Sequence, residues 1–441
     1  MYPSSISTLA KVGISLLLAS RVRAQDRTTE QGEAAINDPA VECAIYSYPP
    51  VASAVAGGQF PPIWQPVTSV PANDTEGRAK FLAINGSIPA ISPKGTMAGD
   101  FSNFTPTYSS TDPDCWWTYH QCTTPKLSGL SPDVASVPEP RTLGYGFDDG
   151  PNCSHNAFYD YLSARGQSAT MFFIGSNVLD WPLEAQRAIA DGHEVCAHTW
   201  SHRYMTSFTN EGAFGELWYS LKAIKLVTGV TPKCWRPPYG DVDDRIRYIA
   251  TQLGLETVIW KYDSFDWMVC PSLLPHEILL ADTGANTHAS QVGTNGVTQA
   301  TVQANYDALI GNVSAGTFDT VGAIMLTHEL NNFTMQAAID NYPALVKAFD
   351  HLVPIAVAQN KTQPYVETNY TMPSFAQYIS NHSAASSLKG LNDTSASGSG
   401  SGQGAQATGS GAGVSMRLPV RRSVGVLAAF VVVTGAMRWA V

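Results

Sequence analysis

The sequence predicts an α/β fold, a distorted (β/α) barrel of about seven parallel strands, in residues 141–360 of the 441-residue chain. Short apolar runs of strand length alternate there with segments of helical periodicity. Such alternation predicts parallel strands joined by helices, and a barrel is the closed form of that sheet. Carboxylate and imidazole side chains follow several of the apolar runs, at the strand ends where such barrels carry their chemistry.

Each predicted strand is a short, mainly apolar run, and each predicted helix repeats apolar residues at intervals of three and four. The predicted strands are Thr142–Phe147, Ala169–Ile174, His193–His198, Cys234–Arg236, Thr257–Tyr262, Ala323–Leu326 and Leu352–Val357. The predicted helices are Asn156–Arg165, Pro182–Asp191, Glu211–Val227, Asp243–Leu253 and Met335–Phe349. Residues 25–140 are rich in Pro, Ser, Thr and Asn and lack sustained periodicity. We interpret them as an irregular N-terminal extension that packs on the main domain.

The N-terminal end has the pattern of a secretory signal. Residues 1–24 place a basic residue before the apolar run Val12–Ala19 and end in a small-residue cleavage pattern at 22–24. The apolar run is too short to span a bilayer. We therefore expect a signal peptide that is removed on secretion.

The C-terminal end has the pattern of a glycolipid-anchor signal. Residues 361–395 are interpreted as a glycosylated segment, and residues 396–413, almost all Ser, Gly, Ala and Gln, as a flexible linker. The tail 414–441 adds a polar spacer and a terminal apolar stretch. This order predicts an anchor attached near Ser410 and a removed tail. A C-terminal membrane span is the alternative.

The charge limits the partners that the chain can bind. The whole chain carries −10, and the two removed ends hold seven basic and no acidic residues, so the mature chain carries −17. A strongly acidic chain binds nucleic acid poorly, which excludes that class of function. The negative charge is compatible with a neutral or cationic polymer as substrate. The sequence implies no protein partner, and we expect contact with the membrane only through the anchor. We expect a secreted protein at the cell surface, on the plasma membrane or in the cell wall.

Glycosylation and disulfide chemistry both fit secretion. Ten Asn-X-Ser/Thr sequons predict a glycoprotein with surface loops at those points. They are Asn73, Asn85, Asn103, Asn152, Asn312, Asn332, Asn360, Asn369, Asn381 and Asn392. Seven cysteines in an oxidising compartment should mostly pair and leave an odd one. Cys115 and Cys122 are close enough in sequence to close a local loop.

Two strand ends together predict a metal site. Asp148 and Asp149 end the first apolar run, and adjacent like charges need a cation or a proton. An ordinary acidic turn is the alternative for this pair. His198 and His202 lie four apart after a later strand, and they would share one face if that segment were helical. One carboxylate with two imidazoles suits a catalytic divalent ion, zinc by preference and cobalt as the alternative, and leaves a second carboxylate to accept a proton from water.

Three further strand ends carry polar motifs: Arg236-Pro237-Pro238-Tyr239-Gly240-Asp241, Asp263-Ser264-Phe265-Asp266-Trp267, and Leu326-Thr327-His328-Glu329. The five motifs, in this order and each at a strand end, resemble the motif set of the family-four carbohydrate esterases, the polysaccharide deacetylases. The fungal chitin deacetylases are the most similar members, given the secretion and anchor signals. The resemblance covers about half of the chain, residues 141–360.

The resemblance implies a role for each matching position. Asp148 would be the general base and His328 the general acid. Asp149, His198 and His202 would bind the divalent metal ion. Four supporting roles are implied as well. Arg236 would orient Asp148 and hold its charge, and the backbone N–H of Tyr239 would point into an oxyanion hole. Asp263 or Asp266 would tune or orient His328, and Trp267 would line the acetyl pocket. Hydrolysis of an amide needs activated water, a charge sink and a proton for the leaving amine, and this set supplies all three.

The expected activity is removal of N-acetyl groups from chitin or chito-oligosaccharides. One position departs from the family pattern: Gly146 stands where Thr is usual. Because this side chain has none of the roles above, we expect activity to survive, with any effect falling on rate more than on chemistry. The alternatives are an esterase or deacetylase for xylan or peptidoglycan, and a wall protein with little activity. The aromatic stretches 115–119 and 218–219 could stack on sugar rings or belong to the core.

Overall fold

The computed structural model describes residues 26–269 and 297–381. The predicted signal peptide, Asn392, Cys270, the linker with Ser410 and the tail 414–441 lie outside the described residues.

The described strands are all parallel and form two sheets. They are β1 Thr142–Gly144, β2 Gly146–Gly150, β3 Thr170–Phe173, β4 Glu194–Ala197, β5 Cys234–Trp235, β6 Glu256–Thr257, β7 Tyr262–Asp263, β8 Ala323–Leu326 and β9 His351–Val353. One sheet has the order β2-β3-β4-β5-β6, and the other has the order β7-β8-β1-β9. The predicted parallel α/β class is confirmed, and its distortion takes the form of this division into two sheets.

The division begins at Tyr145, inside the first predicted strand. The N–H of Tyr145 donates to Val353 O in one sheet at 2.9 Å, whereas its carbonyl accepts from Thr170 N in the other at 2.9 Å. One residue thus bonds to both sheets, so the predicted strand Thr142–Phe147 becomes β1 and β2. The predicted strand Thr257–Tyr262 is also divided, into β6 and β7.

The last predicted strand, Leu352–Val357, is too long at its C-terminal end. β9 ends at Val353, and Ile355–Ala358 forms a short helix instead. Pro354 lies between them and lacks the N–H that a strand ladder needs, which explains the early end.

The N-terminal extension closes the gap between the sheets on the side of β6. Val134 N donates to Thr257 O at 2.9 Å, and Ile259 N donates to Val134 O at 3.0 Å. Three residues later, Val137 O accepts from Gly322 N, directly before β8, at 2.8 Å. The extension therefore takes part in the core of the fold, and Val137 is fully buried there.

Helices surround the sheets. They are α1 Glu30–Ala34, α2 Pro39–Glu42, α3 Pro49–Ala56, α4 Thr75–Asn85, α5 Trp117–His120, α6 Asn156–Ser163, α7 Gly175–Asp180, α8 Pro182–Ala190, α9 Asn210–Thr228, α10 Asp244–Gln252, α11 Gln299–Ser314, α12 Asn332–Ala348 and α13 Ile355–Ala358. The five predicted helices are present within a few residues, and α12 begins three residues early because Asn331 forms a capping box with Thr334. The sequence reading missed α7 and α11.

The extension, which we interpreted as irregular, contains five short helices, α1 to α5, joined by longer loops. The described residues form three disulfides: Cys43–Cys153, Cys115–Cys122 and Cys196–Cys234. The predicted local loop of Cys115 and Cys122 is confirmed. Cys43–Cys153 links the extension to the loop after β2. None of the helices in the described ranges combines the length and apolarity that a membrane span requires.

Candidate active site

The predicted site residues converge at the carboxyl ends of strands from both sheets. Asp148 and Asp149 end β2, His198 follows β4, and Arg236 follows β5, all in the five-stranded sheet. His328 follows β8 in the four-stranded sheet. Asp148 N donates to Thr327 O at 2.9 Å, and Glu329 N donates to Asp148 O at 2.8 Å, so the two sheets are joined at Asp148.

Asp149, His198 and His202 form a compact set of donor atoms. Asp149 Oδ1 lies 3.0 Å from His202 Nε2 and 3.3 Å from His198 Nε2. One donor atom from each residue falls within 4.8 Å of the others, and all three residues are buried. His198 Nδ1 lies 2.8 Å from Arg236 O, which orients the ring with Nε2 toward Asp149. One carboxylate oxygen and two imidazole nitrogens in this arrangement fit a divalent metal ion.

The sequence analysis placed His198 and His202 on one face on the assumption that their segment is helical. The loop that carries them is not helical. Two residues in left-handed backbone conformation, Thr199 with φ 64° and His202 with φ 54°, turn the chain instead. Asp149 is also left-handed, with φ 72°. Non-glycine residues adopt this conformation at an energetic cost, and such positions cluster at functional sites.

The protonation states suit metal binding. Burial raises the pKa of the Asp149 carboxyl, but His202 and His198 outweigh burial and hold that pKa well below its usual range. Burial lowers the pKa of His202, which Asp149 only partly opposes. An anionic carboxylate and a neutral imidazole are the forms that coordinate a metal ion.

Asp148 is held by a buried guanidinium. Arg236 Nη1 donates to Asp148 Oδ1 at 2.6 Å, and the guanidinium lies 3.9 Å above the ring of Phe172. The other carboxylate oxygen of Asp148 lies 3.7 Å from His198 Nε2. Asp148 therefore lies next to the donor set, with one oxygen facing it and the other anchored.

His328 is paired with Asp266 and not with Asp263. His328 Nδ1 lies 2.6 Å from Asp266 Oδ1, and the backbone N–H of His328 donates to Asp266 Oδ2 at 3.0 Å. Burial lowers the pKa of His328, but Asp266, Asp149 and Asp148 together raise it to about 10. Asp263 accepts from Phe265 N at 2.8 Å, and burial raises its pKa to about 7.

Two further predicted residues border the site. The ring centroid of Trp267 lies 6.4 Å from that of His328. Tyr239 occupies the turn Pro238–Gly240 with φ 57°, and its ring lies 4.8 Å from that of His202 and 4.1 Å from Tyr204, on which it stacks. The structure thus brings the predicted catalytic, metal-binding and supporting residues together at one site. Asp263 lies beside them as well, because the charge of His328 and the side chain of Trp267 lower its pKa against the larger effect of burial.

Three buried carboxylates contact the loops of the site: Glu216, Asp241 and Glu329. Asp241 and Glu329 stand in the sequence motifs, where they were given no role, and Glu216 was not singled out. Glu329 Oε1 accepts from Asn152 N at 2.9 Å and lies 3.0 Å from His155 Nδ1, which fixes the loop after Asp149. Glu216 could have been found from the sequence, because it is an acidic residue among the apolar residues of a helix. An acidic side chain in that position is buried only where hydrogen-bond donors surround it.

One predicted glycosylation site is disfavoured in the folded chain. Asn152 is buried, and its Nδ2 donates to Leu330 O at 2.7 Å. A glycan on that nitrogen would need the buried bond to break. Asn73, Asn85, Asn103, Asn360, Asn369 and Asn381 are exposed, and Asn312 and Asn332 are half-buried.

The aromatic stretches divide between core and rim. Trp116 is fully buried, and its Nε1 donates to Asp241; Trp218 is almost fully buried and donates to Asp74. Trp117 is only partly buried and lies 4.9 Å from Trp260. An added Cβ at Gly240 would come within 2.2 Å of the Trp117 ring, which places this ring beside the Tyr239 turn.

Comparison with known proteins agrees with the motifs. The family model for polysaccharide deacetylase matches residues 136–258. Chitin deacetylase 2 of Cryptococcus neoformans var. grubii is 49% identical over 358 residues, covering 80% of this chain and 72% of the relative. The chitin deacetylase of Amylomyces rouxii is 42% identical over 335 residues, covering 75% and 73%.

Among solved structures, the chitin deacetylase of Colletotrichum lindemuthianum is similar to 52% of this chain and 92% of its own, with a TM-score of 0.41 and 19% identity. The assignment to a family rests on the sequence relatives alone, because nearly half of the aligned residues are identical over most of this chain and of the Cryptococcus relative. The resemblance drawn from the five motifs is thereby confirmed, and the chain belongs to the polysaccharide deacetylase family.

Proposed function

We propose that this protein is a metal-dependent chitin deacetylase, which hydrolyses the N-acetyl groups of N-acetylglucosamine units in chitin or chito-oligosaccharides to give chitosan and acetate. The observation that carries the proposal is the position of Asp148 between a metal-binding triad and a buried His–Asp pair. This arrangement supplies a base and an acid on two sides of one site.

We assign Asp149, His198 and His202 as ligands of a divalent ion, zinc by preference and cobalt as the alternative. When bound, such an ion supplies Lewis-acid activation of water and of a carbonyl oxygen. The chain itself supplies the carboxylate and the two oriented imidazoles that hold it.

Asp148 then accepts a proton from the attacking water, and Arg236 keeps its carboxylate oriented through the 2.6 Å hydrogen bond. The backbone N–H of Tyr239 serves as a donor to the developing oxyanion. Trp267 lines the pocket for the acetyl methyl group.

His328 donates the proton that the departing amine requires. Its raised pKa, about 10, keeps both ring nitrogens protonated at neutral pH, and Asp266 orients the ring by accepting from Nδ1. The proton available to the substrate is therefore the one on Nε2.

The test is acetate release by the purified protein from chito-oligosaccharides, acetylated xylan and peptidoglycan, before and after chelation. We expect preference for chito-oligosaccharides, loss of activity on chelation and recovery with zinc or cobalt. Full activity in a metal-free sample would refute the metal assignment. Preference for another polymer would refute the substrate, and no activity on any of them would favour a wall protein.

We also propose secretion and glycolipid anchoring at the cell surface, with glycans on the exposed sequons, supported by the sequence of both ends. A phosphatidylinositol-specific phospholipase should release the protein from membranes, and deletion of residues 412–441 should send it to the medium. A native C-terminus intact through Val441 would contradict the anchor.

A further inference from the structure

The loop between His198 and His202 is tied to a buried carboxylate on α9. Glu216 is fully buried, and its Oε2 accepts from the backbone N–H groups of Trp200 at 3.1 Å and Ser201 at 2.8 Å. Its Oε1 accepts from Ser201 Oγ at 2.8 Å. One carboxylate thus binds both residues at the centre of the loop that separates the two imidazoles.

This carboxylate also connects the loop to the N-terminal extension. Val67 N donates to Glu216 Oε1 at 2.9 Å. The two left-handed residues, Thr199 and His202, lie on either side of the bonded pair. A loop with two strained residues keeps its shape only where its surroundings impose it, and Glu216 provides the hydrogen bonds that do so.

Asp241 ties the Tyr239 turn in the same way. It is fully buried, its Oδ1 accepts from Trp116 Nε1 at 2.8 Å and Thr118 Oγ1 at 2.6 Å, and its Oδ2 accepts from Thr206 N at 2.7 Å and Oγ1 at 2.8 Å. The carboxylate therefore joins three segments: the Cys115–Cys122 loop, the segment after His202, and its own turn.

That turn also needs support, because Tyr239 has a φ of 57°, a left-handed conformation that costs energy for a residue other than glycine. Two backbone bonds close the turn: Gly240 N donates to Pro237 O and Asp241 N donates to Pro238 O, each at 3.0 Å. Asp241 fixes this closed turn against the neighbouring segments.

We propose that Glu216 and Asp241 are positioning residues of the active site: Glu216 sets the distance between the imidazoles of His198 and His202, and Asp241 sets the direction of the Tyr239 backbone N–H. Neither touches the substrate. Both act through loops of the proposed metal and oxyanion sites, so this inference rests on the proposed function.

Amide substitutions test the role with little change of shape. Each carboxylate oxygen of Glu216 accepts from a backbone N–H, Oε1 from Val67 and Oε2 from Ser201. In Glu216→Gln, either orientation of the amide therefore places its NH₂ group against a backbone N–H. Asp241→Asn places its NH₂ against either Trp116 Nε1 or Thr206 N for the same reason. Each variant therefore loses part of its hold on the loop.

Asp244→Asn is the matched control. Asp244 is equally buried, and its Oδ2 accepts from Lys126 N and Leu127 N, both at 2.8 Å, while Arg247 donates to Oδ1 at 3.3 Å. The same NH₂ conflict therefore arises in any orientation. The loop that Asp244 binds, at Lys126 and Leu127, contains no predicted site residue. The Asp244→Asn variant therefore measures the effect of a buried NH₂ group facing a donor, without a change in the loops of the site.

The measurements are zinc affinity by chelator competition, the visible spectrum of the cobalt-loaded protein, and kcat and KM for chito-oligosaccharides. Each variant is assayed at the same interval below its own melting temperature. We expect Glu216→Gln to weaken zinc binding about 10–100-fold and to change the cobalt spectrum. Asp241→Asn should lower kcat about tenfold or more at saturating zinc with KM nearly unchanged, and weaken zinc binding less than Glu216→Gln.

Equal zinc affinity in Glu216→Gln and Asp244→Asn would overturn the role of Glu216. A loss of kcat in Asp241→Asn no larger than in Asp244→Asn would overturn the role of Asp241. Zinc binding by the parent protein without acetate release would refute only the proposed substrate, because the order of zinc affinities would still decide the role of Glu216. Absence of zinc binding by the parent would overturn the metal site and the role of Glu216 together.

Discussion

The two sheets contribute different chemistry to one site. The five-stranded sheet carries the metal-binding set and Arg236, whereas the four-stranded sheet carries His328, with Asp266 and Trp267 after β7. The donor set is preformed by loops with left-handed residues, and the His–Asp pair is preformed by two hydrogen bonds to one carboxylate. The residues proposed for water activation and for proton donation therefore lie on separate sheets that meet at Asp148.

Substitutions should therefore separate the two proposed functions, metal binding and proton donation. Changes on the five-stranded side should alter metal affinity, and changes on the four-stranded side should alter protonation while leaving the metal in place. Asp148, at the junction, should affect turnover alone.

The largest effect is expected from Asp149→Asn, which removes the anionic donor from the proposed metal site. Zinc affinity and acetate release should fall together, by more than the roughly 10–100-fold typical of residues outside the ligand shell. Metal content after dialysis and initial rates on chito-oligosaccharides measure both. Retained zinc with a lost rate would place Asp149 outside the metal site.

Asp148→Asn keeps the shape of the side chain but cannot accept a proton. Turnover should fall by about 10²–10⁴, the usual contribution of a positioned general base. Zinc content should stay at the parent value, which distinguishes this variant from Asp149→Asn. If Asp148→Asn loses its metal and Asp149→Asn keeps it, the two roles are reversed.

His328→Ala tests the four-stranded side. Loss of the general acid should reduce chito-oligosaccharide hydrolysis by about 10²–10⁴ and spare activated aryl acetates, whose leaving groups need no proton. Zinc content should not change. His351→Ala, half-buried on β9 outside the site, is the control. Equal losses on both substrates would contradict the acid role.

The pH dependence tests the His328–Asp266 pair. The pKa of His328 is raised in the folded protein, to about 10, above the unperturbed value of about 6.5. The pair therefore contributes its full stability below pH about 6.5 and loses it as the pH rises through about 10. Asp266→Asn should lower the pKa of His328 and reduce this alkaline-sensitive part of the stability, with Asp149 and Asp148 retaining a smaller share.

The pKa of His328 can be followed by NMR in the metal-free protein, and the stability by thermal unfolding between pH 6 and pH 11 or so. Asp263→Asn is the control, since Asp263 bonds to Phe265 N and not to the ring. An unchanged pKa in Asp266→Asn, or a larger change in Asp263→Asn, would contradict the pairing.

The smallest effect on activity is expected from Gly146→Thr, which restores the usual residue of the family motif. An added Cβ would lie 2.7 Å from Thr170 O, a backbone atom that cannot move freely. The variant should lose about 1–3 kcal/mol of stability through overpacking. Its kcat should stay near the parent value. Gly311→Ala, in open space on α11, should not destabilise. A more stable Gly146→Thr would contradict the packing argument.

The positions of the elements were predictable because periodicity is a local property. All seven predicted strands and all five predicted helices have counterparts, since alternating apolar runs and helical spacing are written in consecutive residues. The division of two strands was not predictable. The division of Thr142–Phe147 depends on Tyr145 bonding to Val353 in one sheet and Thr170 in the other, and both partners are distant in sequence.

The pairing of carboxylates with their partners also lay beyond the sequence. Asp263 and Asp266 were equivalent candidates for orienting His328, and only the fold brings Asp266 to 2.6 Å from the ring. Burial likewise separated Trp116, a core residue, from its neighbour Trp117, and it disfavoured Asn152 as a glycan acceptor. Distances and burial arise from contacts across the chain, which no local pattern records.

The parallel α/β class, the order of the five motifs and the family follow from the sequence, because they depend on residue types and spacing along the chain. Contacts between distant segments are needed to show that the candidate site lies where two sheets meet and that the histidine loop is a strained turn. The same contacts place Glu216 and Asp241 in hydrogen bonds with the loops of that site. Their role is carried by hydrogen bonds between segments that the sequence separates, and a buried charge is stable only where the fold gathers enough donors around it.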